Sequence, residues 1–211
     1  FSSFVGLHPV PVVYGMTIGE YARMIVGEKW YGDESIELKV LPCLNYKRTD
    51  EYLPPVPPSP NLPTMESIYL YPSLCFFEGT NVSVGRGTDS PFTMVGEPGN
   101  RLGDFVFVPQ SKPGASLHPK HEGDTCRGYD LSQYIAQPGE LQELDLSWLL
   151  RMYEESPDKK NFFRGYFEKL AGTDKLRKAI EKGLSEEEIR QSWKDDLNKF
   201  ETIRKKYLIY P

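Results

Sequence analysis

The sequence predicts an α+β fold with a small mixed sheet, long proline- and glycine-rich loops and a helical last third. Three observations carry that reading. Of 211 residues, 18 are proline, roughly 8.5% against an average near 5%, and the excess falls mostly within residues 9–138. Short apolar runs bounded by turn residues recur through the same stretch. From about Leu141 the apolar residues recur at helical spacing instead.

Each element has its own warrant. Thr17-Ile18-Gly19-Glu20 fits a capping box, and apolar Ile18, Tyr21, Ala22, Ile25 and Val26 extend a helix over 18–27. Ile36, Leu38, Val40, Leu41 and Leu44 predict a strand over 36–44, interrupted at Pro42. Residues 54–63 hold too many prolines for a central ladder and read as an extended polyproline segment. Thr64 caps a second helix reaching about Leu74. Residues 79–103, with six glycines, read as one long loop, and such loops are more often functional than incidental. Residues 105–108 and 127–131 read as short strands. Leu144, Trp148, Leu149, Met152 and Tyr153 mark a helix, followed by shorter helical stretches at 161–170 and 174–182. Ser185-Glu186-Glu187-Glu188 opens a last helix whose apolar face is Ile189, Trp193, Leu197, Phe200 and Ile203. The cationic Arg204-Lys205-Lys206 lies at its C-terminal end, where the helix dipole favours it.

Composition excludes several classes. Apolar residues make 39% and glycine adds 18 positions, which together sit in the globular range and exclude a wholly disordered or collagenous chain. A net charge of −5 argues against non-specific nucleic-acid binding, which needs a basic face. No apolar run approaches the ~20 residues of a transmembrane helix. The start, FSSFVGLHPVPVVYGM, lacks the features of a signal peptide and an initiator Met, so a processed or truncated chain is expected. Phe1, Phe4, Val5, Leu7, Val10, Val12 and Val13 predict an exposed apolar face there. Cys43, Cys75 and Cys126 are odd in number and far apart, so buried free thiols are expected rather than a disulfide framework.

Three near-motifs carry little. Asn81-Val82-Ser83-Val84-Gly85 lacks the first glycine of a nucleophile elbow. Gly85-Arg86-Gly87-Thr88 lacks the spacer and lysine of a phosphate loop. His118, His121 and Cys126 match no zinc spacing, so no metal and no cofactor is expected. The stretch from Phe76 to Thr88 is different. It places Glu78, Thr80, Asn81, Ser83, Arg86 and Thr88 directly after an apolar run, a set of donors and acceptors suited to a polyhydroxylated, acylated ligand. The alternative is that Glu78 and Arg86 pair and staple the loop.

With these motifs in view, the sequence resembles the C-terminal part of the NamZ-type exo-β-N-acetylmuramidases, bacterial enzymes that release N-acetylmuramic acid from the non-reducing end of peptidoglycan fragments. The resemblance rests on Tyr14-Gly15-Met16-Thr17-Ile18-Gly19-Glu20, on residues 58–64 (PSPNLPT), on Phe77-Glu78-Gly79-Thr80-Asn81 with Gly85-Arg86-Gly87-Thr88, on residues 123–128 (GDTCRG), and on residues 205–211 (KKYLIYP). Family members usually carry His where this chain has Tyr14 and Trp where it has Tyr46, which still offers a ring to a sugar face. The resemblance implies an auxiliary domain over residues 1–211, with a loop-rich part over 1–140 and a helical part over 141–211. That domain would pack on a Rossmann-like N-terminal domain outside the chain, which holds the catalytic glutamates and closes the other side of the cleft. It implies a periplasmic or exported setting, and a peptidoglycan glycan or muropeptide as ligand. The expected sugar-binding residues are Glu78, Asn81 and Arg86, then Tyr46, Arg48, Ser59 and Asn61. Glu20 is an acidic candidate, but its cap role comes first. Glycoside hydrolysis ordinarily needs two flanking carboxyl groups, so no complete catalytic pair is expected here. A non-catalytic glycan-binding or protein-docking module is the alternative reading.

Overall fold

A computed structural model describes residues 1–4, 6–134 and 143–211. Val5 and the expected boundary at 140/141 lie outside the described residues. The chain divides into two compact units: Phe1–Gly6 with Leu53–Glu186, and Leu7–Tyr52 with Glu187–Pro211. The described residues contain six α-helices and one three-stranded sheet. None of these helices is long and apolar enough to cross a membrane.

In the first unit, α2 (Met65–Leu74) starts at the predicted capping residue, with Thr64 Oγ1 accepting from the Ser67 amide. It continues into a 3-10 turn, Cys75–Gly79. The sheet comprises β1 (Met94–Glu97), β2 (Phe105–Phe107) and β3 (Cys126–Asp130) in the order β1-β3-β2. Gly96 faces Gly128 and Phe107 faces Cys126. Both pairings are antiparallel, which corrects the expected mixed sheet. No helix lies between these strands in the chain, and without a helical crossover antiparallel pairing is the expected arrangement.

The long loop expected over 79–103 contains β1. All four of its residues are buried, so it shows none of the alternation that marks a half-exposed strand. After β3 come α3 (Ser147–Glu155), a 3-10 turn (Lys159–Asn161), α4 (Phe167–Ala171) and α5 (Lys175–Glu181). The helix expected over 161–170 is thus only two short turns, separated by Gly165. Fully buried Phe76, Phe77, Phe162 and Phe167 form much of the core. The 3-10 turn meets α4 backbone to backbone, since a Cβ on Gly79 would lie 2.4 Å from Phe167 Cα.

In the second unit, α1 (Ile18–Gly27) has both halves of its capping box. α6 (Glu186–Arg204) begins at the boundary of the first unit and runs on through this one. The strand expected over 36–44 does not form. No strand pairs with this segment, Pro42 removes a donor, and Leu41 and Leu44 are 79% and 88% exposed. Of the cysteines, Cys126 is buried and Cys75 half-buried, but Cys43 is exposed, which corrects that part of the thiol expectation; all three are free.

Candidate functional site

The polar stretch after the 3-10 turn is built by pairing distant pieces of backbone. The Asn81 amide donates to the Phe162 carbonyl at 2.8 Å, and the Arg164 amide to the Gly79 carbonyl at 2.8 Å. On the other side, Ser83 and Gly96 exchange two backbone bonds of 2.8 and 3.0 Å. Residues 79–83 are therefore fixed between 162–164 and β1. The following turn depends on Gly87, whose φ of +87° suits glycine and whose Cβ would lie 2.5 Å from the Gln110 carbonyl oxygen.

That turn carries Arg86 back to Glu78. Arg86 Nη1 donates to Glu78 Oε1 at 2.5 Å, with Glu78 24% and Arg86 40% exposed at the side chain. The pairing alternative therefore holds, yet both groups stay accessible. They line a depression of about 200 Å³ together with Ser83, Ser116, His118 and Lys120.

Lys120 reaches beneath this turn. Its Nζ donates to the carbonyls of Phe77 (2.9 Å), Thr80 (2.5 Å) and Val82 (2.8 Å). Burial, with Arg164 nearby, pulls Lys120 down to about 7, against the upward pull of Glu78 and Glu97. Only the ammonium form has three N–H groups for three carbonyls, so the geometry is that of the charged side chain.

Asn81 is a hub. Its Nδ2 donates to Glu97 Oε2 at 3.3 Å, and its Oδ1 accepts from Arg164 Nη2 at 2.9 Å. Its carbonyl meets His121 Nε2 at 2.6 Å. Because a carbonyl only accepts, that nitrogen carries the hydrogen, and burial lowers the His121 pKa and keeps the ring neutral. Glu97, at the end of β1, is fully buried. Burial pushes its carboxyl up, against nearby Ser156 and Asn81, and Oε1 has no hydrogen-bond partner.

A second depression, of about 370 Å³, is lined by Pro60, Asn61, Gly87, Thr88, Asp89 and Lys112 among others. Asn61 Nδ2 donates to the Ala115 carbonyl at 3.0 Å, and Ser59 Oγ accepts from the Asn61 amide at 3.1 Å. Ser59 thus orients the turn that places Asn61. Lys112 pairs with Asp89 at the rim. Each depression holds one carboxylate, and each carboxylate is paired with a cation.

Of the expected residues, Glu78, Asn81, Arg86, Ser59 and Asn61 belong to this unit, while Tyr46 and Arg48 belong to the other. There, Glu20 is fully buried. Its Oε2 accepts from the Thr17 amide at 2.8 Å, closing the cap. Its Oε1 accepts from Arg48 Nη2 at 2.7 Å and from the Ile209 amide at 2.8 Å. Burial alone would raise this carboxyl, but the Ile209 and Thr17 amides and Arg48 together lower it to about 2. Arg48 also donates to the Gly15 carbonyl at 2.9 Å, and Tyr46 packs edge-on against Tyr210 at 4.7 Å.

The sequence reading missed Glu97, Lys120, His121 and Arg164. Lys120 and His121 lie in a loop where only a zinc spacing was sought, and Arg164 follows Phe162-Phe163 without any local pattern. Among the described residues, no group of three His, Cys, Asp or Glu side chains is placed to hold a metal ion.

Comparison with known proteins divides the sequence differently from the two compact units. Residues 69–210 match the family described as exo-beta-N-acetylmuramidase NamZ, C-terminal, and residues 1–66 match the corresponding N-terminal description. The sequence resemblance had implied C-terminal residues throughout; the first 66 match the N-terminal part instead. The whole chain is 38% identical to the peptidoglycan beta-N-acetylmuramidase NamZ of Bacillus subtilis, of which it spans 54%. Among solved structures, a DUF1343 family protein of Bacteroides fragilis is 44% identical with a TM-score of 0.93, covering 99% of this chain and 59% of that one. A second from the same organism is 21% identical with a TM-score of 0.75, covering 99% and 60%, and shows the fold alone.

Proposed function

This chain belongs to the exo-β-N-acetylmuramidase NamZ family, and from that premise we propose that it is part of a peptidoglycan glycosidase that releases N-acetylmuramic acid from non-reducing ends. The chain spans about half the length of the curated relative it matches. In this reading its first unit forms one wall of the substrate cleft, and the catalytic carboxylates lie in the other half of such a protein. The ligand is a peptidoglycan-derived glycan, and the setting is periplasmic or exported.

The observation that carries the proposal is the polar depression at Glu78 and Arg86. An accessible ion pair and two serines supply both acceptors and donors to sugar hydroxyls. Its single carboxylate is already paired, whereas glycoside hydrolysis ordinarily takes two. Binding without chemistry is therefore the role proposed for this half. Exposed Phe1, Phe4, Leu7, Val12 and Val13 favour contact with the remainder of the longer protein. The same exposed residues favour the second reading, a protein-docking module without a catalytic partner.

The test is release of a chromophore from a β-N-acetylmuramide by the purified 211-residue chain, alone and joined to the remaining half of a full-length relative. No turnover alone and turnover when joined supports the proposal. Full turnover by the chain alone places the catalytic pair within these residues and overturns it. No turnover in either form, with glycan binding retained, selects the docking or binding module.

A further inference from the structure

We infer that Arg164, held in place by the Glu97–Asn81 pair, reads the negative charge of the lactyl carboxylate that distinguishes N-acetylmuramic acid from N-acetylglucosamine. The inference rests on the muramidase reading above and names a specificity residue for it.

The first argument is the state of Asn81. Its amide N–H, carbonyl, Nδ2 and Oδ1 are all engaged, with Phe162, His121, Glu97 and Arg164. A side chain so committed has little left to offer a sugar. What it does is orient a guanidinium. The buried Glu97 carboxyl fixes the Nδ2 end of the amide, so Oδ1 must face Arg164.

The second argument is charge. Arg164 is exposed, its side-chain bond is to the neutral Asn81 amide, and no carboxylate pairs with it among the described residues. A guanidinium has five N–H donors in a fixed fork, and a neutral partner at one of them leaves its full charge for a carboxylate. Around it, Glu78 is neutralised by Arg86, and burial drives Glu97 toward its neutral form. Lys120 lines the depression and lies close enough to Arg164 for the two cations to act on one another. Arg164 thus adds a cation without a carboxylate partner, within electrostatic reach of Lys120, which lines a depression that also holds serine hydroxyls. The ligand chemistry that meets both is a sugar bearing one carboxylate.

The test follows the Arg164 Nε–Hε resonance and the Kd of the ¹⁵N-labelled 211-residue chain. Three probes differ only at one substituent: N-acetylmuramic acid, its lactyl amide, and N-acetylglucosamine. The expected result is that the acid binds about tenfold or more tightly than either neutral sugar and shifts the Arg164 signal. Arg164→Gln binds all three alike, and Arg164→Lys restores part of the preference; the amide spectrum of each variant reports whether it is folded. Preference for the acid that survives in folded Arg164→Gln overturns the inference and leaves the muramidase reading intact. Equal binding of all three by the unsubstituted chain does the same. Binding of none of them overturns the inference for this chain and leaves the muramidase reading to the turnover of the joined protein.

Discussion

Replacing Glu20 by Gln tests the reasoning about the second unit. The side chain is fully buried, and its carboxylate is surrounded by donors: the Thr17, Ile209 and Tyr210 amides and Arg48 Nη2. An amide in its place turns an NH₂ toward one of those donors, and no rotation of the group avoids the conflict. The magnitude comes from linkage. A carboxyl ordinarily at 4.5 and held at about 2 in the folded chain contributes about 3 kcal/mol at neutral pH. Breaking one partner of a buried ion pair costs a similar ~3–5 kcal/mol. Because the folded pKa is the lower one, this stability is fully present above about 4.5 and drains away as pH falls toward about 2. Urea unfolding followed by circular dichroism, with hydrogen exchange at the Ile209 amide, measures it. At pH 7 the midpoint of Glu20→Gln should fall by on the order of 1–2 M urea, and the Ile209 amide should lose protection. Arg48→Met, which leaves the amide donors in place, should cost less, about 1.5–3 kcal/mol. Between pH 4.5 and 2 the unsubstituted chain should lose stability more steeply than Glu20→Gln. Equal midpoints at pH 7, or parallel acid limbs, would refute the argument.

Gly87→Ala should destabilise the first unit by about 1–3 kcal/mol, through a left-handed backbone and a Cβ against the Gln110 carbonyl; thermal unfolding reads this. Phe167→Ala, at a fully buried ring, should cost about 3–5 kcal/mol in chemical denaturation. In a catalytically complete protein, Glu78→Gln should weaken substrate binding by about 1.5–3 kcal/mol without changing the bell of the pH–rate profile. Loss of one limb of that bell would make Glu78 a general acid or base instead. With a thiol reagent at neutral pH, exposed Cys43 should react first. Cys75 and Cys126, both pushed up to about 12 by burial, should react only on unfolding.

The local elements were legible where a local rule governs them. The caps read at Thr17 and Thr64 open helices with the expected start, because a cap is decided within four residues. β1 was hidden because it is buried on both faces, so its composition carries no period-two signal. The segment 36–44 showed the opposite failure, an apolar pattern with no partner strand to pair with it. At the candidate site, Glu78 and Arg86 could be read from eight residues of spacing. Lys120, 38 residues from the Val82 carbonyl it holds, and Arg164, 83 residues from Asn81, could not. Nothing in their own neighbourhoods encodes a partner that the backbone pairing at 79–83 supplies. Asn81 was read as a sugar partner from its amide, and the long-range bonds that engage its four polar groups could not be read from its neighbours.

The Glu20 clamp also constrains the order in which the molecule is made. One of its anchors is the Thr17 amide at the start of α1, and another is the Ile209 amide, 189 residues later than Glu20 itself. The second unit is written in two separate pieces, with residues 53–186 synthesised in between. At ordinary translation rates the ribosome takes on the order of ten seconds to cross that insertion. Until it does, α1 has its own cap but no Ile209 to receive the Glu20 carboxylate. The inserted unit, contiguous apart from Phe1–Gly6, can close first. Ile209 then completes the burial of an acid translated 189 residues earlier.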